Sequence, residues 1–195
     1  MRITGGASTG IRLHAPRNGG GIRPATDRLR ESVFASLGPE VRGAAVLDLF
    51  AGTGAYGLEA LSRGAARIVW VEASARTAAI LRENRDAVLR SAGRTAGSQV
   101  LVRDVVRVAF PPEESFRFVF ADPPYAEAGR WIAPVFGIAE RHLSQDPPGT
   151  LVFEIPSALA VERPGWEEIR RFGKERNGPS VRFFARTNRP KSQTV

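Results

Sequence analysis

The sequence predicts an α/β fold in which a mostly parallel sheet carries helices on both faces. Three observations predict it. Five short apolar runs recur between residues 45 and 155, helix-patterned stretches lie between the first three of them, and a glycine-rich joint links the first run to its helix. Runs that are apolar on both alternating faces are what parallel strands covered from two sides require. Strand and helix patterns taken in alternation give a doubly wound sheet.

The elements follow in chain order. Residues 1–25 form a basic extension: "RITGGASTGIRLHAP" reads as a hairpin and "RNGGGIRP" as the segment leading out of it. "TDRLRESVFASL" then makes a short helix with Leu29, Val33 and Leu37 on one side. The strands are 45–50, 67–73, 99–104, 116–122 and 150–155. Between them "AYGLEALSRG" is helical, and so is "SARTAAILRENRDAVLRSAG", whose Ser74 is placed as an N-cap and whose Ala78, Leu81, Arg85 and Val88/Leu89 spacing gives one mainly apolar side. After Ile155, "WEEIRRFGKE" and "PSVRFFART" read as two antiparallel strands joined at Arg176-Asn177-Gly178. That brings the sheet to seven strands. The main domain is expected over 26–189, with 190–195 as a frayed tail.

Composition narrows the function. At 195 residues, with 43% hydrophobic and 25% charged, the chain has room for one sizeable core. It has no cysteine and only His14 and His142, so disulfides, thiolate sites and cysteine nucleophiles are excluded and a zinc site is poorly served. No apolar run approaches the ~20 residues that cross a bilayer, and Met1-Arg2-Ile3-Thr4 leads into no signal-peptide core. The expectation is a cytoplasmic, metal-free monomer. The net charge of +8 is uneven: +4 over residues 1–31, −2 over 32–162 and +6 over 163–195. Basic ends around a near-neutral body suggest a polyanion held at the periphery, with Arg12, Arg17, Arg23 and Arg28 as candidate phosphate contacts. An Arg-rich soluble chain with no such partner is the alternative on charge alone.

The joint "VLDLFAGTGAYG" carries Gly52-Thr53-Gly54-Ala55-Tyr56-Gly57, a G-x-G-x-x-G pattern, and Glu72 follows at the end of the second strand. The pattern alone fits a dinucleotide fold, where glycines admit a pyrophosphate and the acid binds ribose hydroxyls. Asp48, four residues before Gly52, argues otherwise: a carboxylate aimed at that crevice repels a pyrophosphate and favours the sulfonium and ammonium of S-adenosylmethionine. Asp104 is then placed to accept from the adenine amino group, with the Val105 N–H facing a ring nitrogen; a plain helix cap is the other reading of Asp104. Phe50 and Ala73, beside the glycines and Glu72, complete the expected cofactor set.

The fourth strand ends in Asp122-Pro123-Pro124-Tyr125. Proline cannot donate to a sheet ladder, so the strand stops there. An exocyclic amine on a base accepts a methyl group only if its N–H bonds are held so that the nitrogen becomes tetrahedral. Asp122 supplies a carboxylate acceptor and Pro123 a backbone carbonyl, while Tyr125 offers a face on which an unpaired base can stack.

"VLDLFAGTGAYGLEALSRGA", "VEA", "RD" and "ADPPY", preceded by "GIRPATDRLRESVF", resemble the bacterial RsmD family over nearly the whole chain. The resemblance implies a Rossmann-like class I methyltransferase fold and S-adenosylmethionine-dependent methylation of guanine N2 in 16S ribosomal RNA, with the RNA or the small ribosomal subunit as partner. It implies that Asp48, Gly52, Gly54, Glu72 and Asp104 surround the cofactor and that Asp122 to Tyr125 meet the target base. The segment Arg23 to Arg30 is implied to lie near the active site, which makes Arg23 and Thr26 further candidates for cofactor or RNA contact. The family's C-terminal "Y-G-D" turn is replaced here by "FGKERNGPSVRFF". A DNA adenine-N6 or cytosine-N4 methyltransferase uses the same four-residue motif, but this chain leaves no room for a dedicated sequence-reading domain. A binding module without chemistry and a nicotinamide oxidoreductase are the remaining alternatives; the intact motif speaks against the first and Asp48 against the second.

Overall fold

The computed structural model describes residues 1–16, 24–93, 95, 97–173 and 178–187. Its elements are α1 (Pro24–Leu37), β1 (Ala45–Leu49), α2 (Ala55–Ser62), β2 (Arg67–Glu72), α3 (Ala75–Ala92), β3 (Gly97–Val102), β4 (Phe118–Ala121), α4 (Ala128–His142), β5 (Thr150–Pro156), β6 (Trp166–Phe172) and β7 (Pro179–Arg186). The seven strands lie in the order β3-β2-β1-β4-β5-β7-β6. The first five are parallel, and β7 runs antiparallel to both β5 and β6. This is the Rossmann-like class I methyltransferase architecture. The chain winds from β1 outward to β3 and then returns to the other side of β1, so the strand order reverses between β1 and β4. In such sheets, ligands bind in the crevice outside the carboxyl ends at that reversal.

Alternation along the strands divides the core in two. Val46, Ile68, Trp70, Phe118, Phe120 and Val152 pack with α1, α2 and α3 on one face. Leu47, Leu49, Val69, Val71, Val119, Ala121, Leu151 and Phe153 pack with α4 on the other. The N-terminal segment joins the first face. Arg2 and Arg12 form an antiparallel bridge, and Ile3 N–H donates to the Ile11 carbonyl at 2.9 Å while Leu13 N–H donates to Met1 at 3.0 Å. Ile3 and Leu13 are buried in the core. At about 1.5–3 kcal/mol each, two such side chains are a large share of a typical net stability of about 5–15 kcal/mol. The ribbon is part of the fold's stability as well as a basic surface.

Helix α4 is an element the sequence patterns above do not assign. Ala128, Trp131, Val135, Ile138, Ala139 and His142 fall on one buried side, but Pro134 stands inside the helix. A helix-interior proline costs about 3 kcal/mol. Burial of Trp131, Val135, Phe136 and Ile138, at about 1.5–3 kcal/mol each, outweighs that. β4 is also shorter than its apolar run: Phe116 makes only an isolated bridge to Leu143. The Asn-Gly turn expected between β6 and β7 falls mostly outside the described residues, which resume at Gly178.

Candidate active site at the carboxyl ends of the strands

The glycine joint turns the chain from β1 into α2. Gly54, the cap of α2, has φ +92°, and a Cβ there would meet Leu58 and Leu81 at 3.0–3.1 Å. Gly57 serves a different purpose: a Cβ would lie 2.1 Å from the Trp70 indole nitrogen, so its absence lets α2 pack onto β2. Phe50 has a left-handed φ of +58°, costly for a residue with a side chain. Its ring meets Trp131 edge-on at 4.8 Å.

Two acids hold this loop. Asp48 is 2% exposed, and its Oδ2 accepts from the Gly57 N–H at 2.8 Å. Burial pushes its carboxyl up to about 8; the Gly57 bond opposes this and the Glu72 charge adds to it. Asp48 therefore lies behind the loop, bonded to Gly57, and is not part of the cavity lining. Glu72 takes a more exposed place. Its Oε2 accepts from Gly52 N–H at 2.9 Å and its Oε1 from Ser74 N–H at 2.7 Å. A carboxylate has about four acceptor positions, so both oxygens retain capacity for ligand hydroxyls. Asp104 is exposed and caps the short 3-10 turn Val105–Arg107 by accepting from Val106 N–H at 3.0 Å through Oδ1.

A cavity of about 570 Å³ gathers most of these groups: Phe50, Gly52, Glu72, Ala73, Asp104 and Val105 line it together with Asp122, Pro123 and Pro124. Asp48, Gly54 and Tyr125 do not line it. Tyr125 is 47% exposed, and its hydroxyl donates to the Gly178 carbonyl at 2.7 Å, which ties the proline loop to the start of β7. Asp122 is open to the cavity. Enclosure by protein, then the Glu154 charge and then Asp48, raise its carboxyl well above the ordinary range, and solvent contact through the cavity tempers the first of these. Arg12 and Arg28 are exposed on the ribbon and α1. Arg28 borders a second cavity of about 610 Å³ that contains Arg2, Asp27 and Glu31 but none of the strand-end acids. Arg17 and Arg23 lie outside the described residues, as does the side chain of Thr26.

A family model described as conserved hypothetical protein 95 matches residues 1–182. The chain belongs to that family. Among curated relatives, a provisionally named rRNA methyltransferase of Bacillus subtilis, YlbH, is 38% identical over 65% of this chain and 68% of its own length. Ribosomal RNA small subunit methyltransferase D of Escherichia coli is 36% identical over 64% of this chain and 60% of its own. The matched regions thus span 60–68% of the length of these two relatives. Among solved structures, a provisionally named methyltransferase of Escherichia coli, yhhF, superposes with a TM-score of 0.77 at 28% identity, covering 95% of this chain and 97% of that one.

Other residues at the site were not singled out from sequence. Glu127, Arg130 and Trp131, at the start of the unassigned α4, line the cavity together with Arg103. Glu154 near the end of β5 and Tyr56 in α2 stand beside Asp122: the Tyr56 hydroxyl donates to Glu154 Oε2 at 2.7 Å. Glu154 carried the same signal as the acids that were found, an acid near the carboxyl end of an apolar run. Among the described residues, no group of three or more ligand-type side chains could hold a metal ion, and no helix is long and apolar enough to cross a membrane.

Proposed function

We propose that this chain is an S-adenosylmethionine-dependent methyltransferase acting on the exocyclic N2 amino group of a guanine in 16S ribosomal RNA of the small subunit, as a cytoplasmic monomer. One observation carries the reading. Asp122 and its two prolines open into the same cavity as Glu72 and Asp104, so an acceptor-holding carboxylate and a nucleoside-holding pair of acids face one space. The names of the relatives supply the substrate class.

The cavity residues fit the proposed cofactor. Glu72 keeps acceptor capacity for ribose hydroxyls, Asp104 is exposed in the cavity lining and would accept from an adenine amino group, and Phe50 and Val105 give apolar walls. When bound, S-adenosylmethionine supplies a methyl carbon made electrophilic by its sulfonium, and transfer leaves a neutral thioether. The protein's own part is orientation. The Asp122 carboxylate and the Pro123 carbonyl accept the amine N–H bonds, which directs the nitrogen lone pair, and Asp122 is placed to take the proton that the methylated nitrogen gives up. No enzyme nucleophile is needed. Replacing Asp122 by Ala should lower single-turnover methyl transfer by roughly 100-fold or more, with cofactor affinity little changed. Mass spectrometry of nucleosides from small-subunit rRNA treated with native protein should show N2-methylguanosine. Methylated adenine or cytosine in DNA, with unmodified rRNA, would overturn the reading.

A further inference from the structure

Asp122 has a carboxyl neighbour that takes no part in the reaction as proposed. The register pairs Ala121 with Phe153, so Asp122 just past β4 and Glu154 in β5 come next, side by side. Adjacent strands are about 4.8 Å apart. Both residues follow the alternation of Phe120 and Val152, and so emerge on the α1/α2 face. There Tyr56, stacked on Phe120 at 5.2 Å, donates its hydroxyl to Glu154 at 2.7 Å. Buried Arg30 of α1 is the cation that acts on both Glu154 and Tyr56.

We infer that Glu154 is a positioning residue that sets the protonation of Asp122, with Tyr56 holding Glu154 in place. The role of the pair in methyl transfer rests on the function proposed above; the pair itself does not. The groups that face it are Asp48 from β1, Tyr56 from α2 and Arg30 from α1. Asp122 is exposed at the cavity and Glu154 is half-buried behind it. Two carboxyl groups on adjacent strand positions repel each other when both are ionised, so one proton is shared between them over a range where isolated acids have lost theirs. Burial raises Glu154, opposed by the Tyr56 hydrogen bond and by Arg30. For each methyl gained, the acceptor nitrogen loses one proton. A carboxylate with raised proton affinity takes that proton more readily than an ordinary one, provided the pair is ionised once before the reaction.

Two substitutions move the pair in opposite directions. Glu154→Gln removes the neighbouring charge, so the apparent pKa of Asp122 should fall. Tyr56→Phe removes a hydrogen bond to the ionised form, so the pair should titrate higher. Carboxyl carbon NMR titration of the free, labelled protein reads both shifts without any turnover. The acid limb of single-turnover methyl transfer should move in the same two directions. A purely structural Glu154 would lower the rate at every pH and leave the Asp122 titration unmoved in Glu154→Gln, and that result overturns the inference. If native protein transfers no methyl group to guanine while the NMR shifts appear, the proposed function fails and the carboxyl pair stands.

Discussion

Asp48 stands between Trp70 and Phe120 in the middle of the sheet, an acid where the pattern calls for an apolar side chain. The Gly57 hydrogen bond does not compensate for burial, and the Asp48 carboxyl is raised from 3.8 to about 8. The consequence for stability has a definite sign. In the unfolded chain Asp48 loses its proton near pH 4, whereas in the native protein it keeps it to about pH 8. Between those values the unfolded state binds fewer protons, so stability falls as pH rises, by up to about 1.4 kcal/mol per pH unit. Asp48→Asn keeps an acceptor for Gly57 N–H and removes the titration. Urea unfolding at pH 5 and pH 7.5 should therefore show a smaller loss for the variant than for native protein. Asp122 and Glu154, also raised, leave a residual slope of the same sign. An equal loss in both proteins would mean that Asp48 is ionised in the fold.

Helix α2 shows how one side chain joins distant elements. Glu59 is fully buried and accepts from Thr4 N–H at 2.9 Å, the Thr4 hydroxyl at 2.8 Å and Arg63 at 2.9 Å, with Arg30 at 3.3 Å. Arg30 also pairs with Asp27 at 3.0 Å. Removing one partner of a buried ion network costs about 3–5 kcal/mol, because the remaining charges stay buried. Glu59→Ala should lose stability on that scale in chemical denaturation, and a loss below about 1 kcal/mol would show the network to be solvated. The elements themselves were unequally legible. Parallel strands are covered on both faces, so their continuous apolar runs stand out, and five were placed within two residues at each end. Helix α4 was hidden by Gly129, Pro134 and Gly137, which local propensity reads as breaks and tertiary burial overrides. At the site, strand-end acids could be found by position alone. What Asp48 and Glu154 do depends on register and enclosure, which spacing along a chain does not contain.

The sequence carries its net positive charge at the two ends, while the cavity is lined by Glu72, Asp104, Asp122 and Glu127 together with Arg103 and Arg130. Under the proposed function, the RNA backbone is held by the periphery while only an uncharged base edge reaches Asp122. The ribbon's contribution cannot be tested by deleting it, since Ile3, Ser8 and Leu13 are core residues. Charge removal on the exposed surface is the sound route. Arg12→Gln and Arg28→Gln should each weaken binding of a small-subunit rRNA fragment. Each should also reduce the slope of log affinity against log salt by about 0.7 for every phosphate of single-stranded RNA that is no longer neutralised. Fluorescence anisotropy at several salt concentrations measures it. Unchanged slopes in both variants would move the RNA surface to the other basic end, where Arg170 and Arg171 are exposed on β6.

One further side chain ties the ribbon to the glycine joint. Asn84 of α3, fully buried, accepts from His14 N–H at 2.7 Å and donates to the carbonyls of His14 at 3.0 Å and Thr53 at 3.1 Å. It offers His14 the pair of bonds that a neighbouring strand would offer, so a helix here completes a ladder edge. The information needed at the two positions is therefore unequal. His14 takes part through its main chain, and the alphabet at position 14 is wide. Position 84 must present an acceptor and two donors at one fixed reach: Asp lacks the donors, Gln overshoots, and every apolar residue removes three hydrogen bonds to the main chain at once. A contact that looks symmetrical in space is written in the gene almost entirely by one codon.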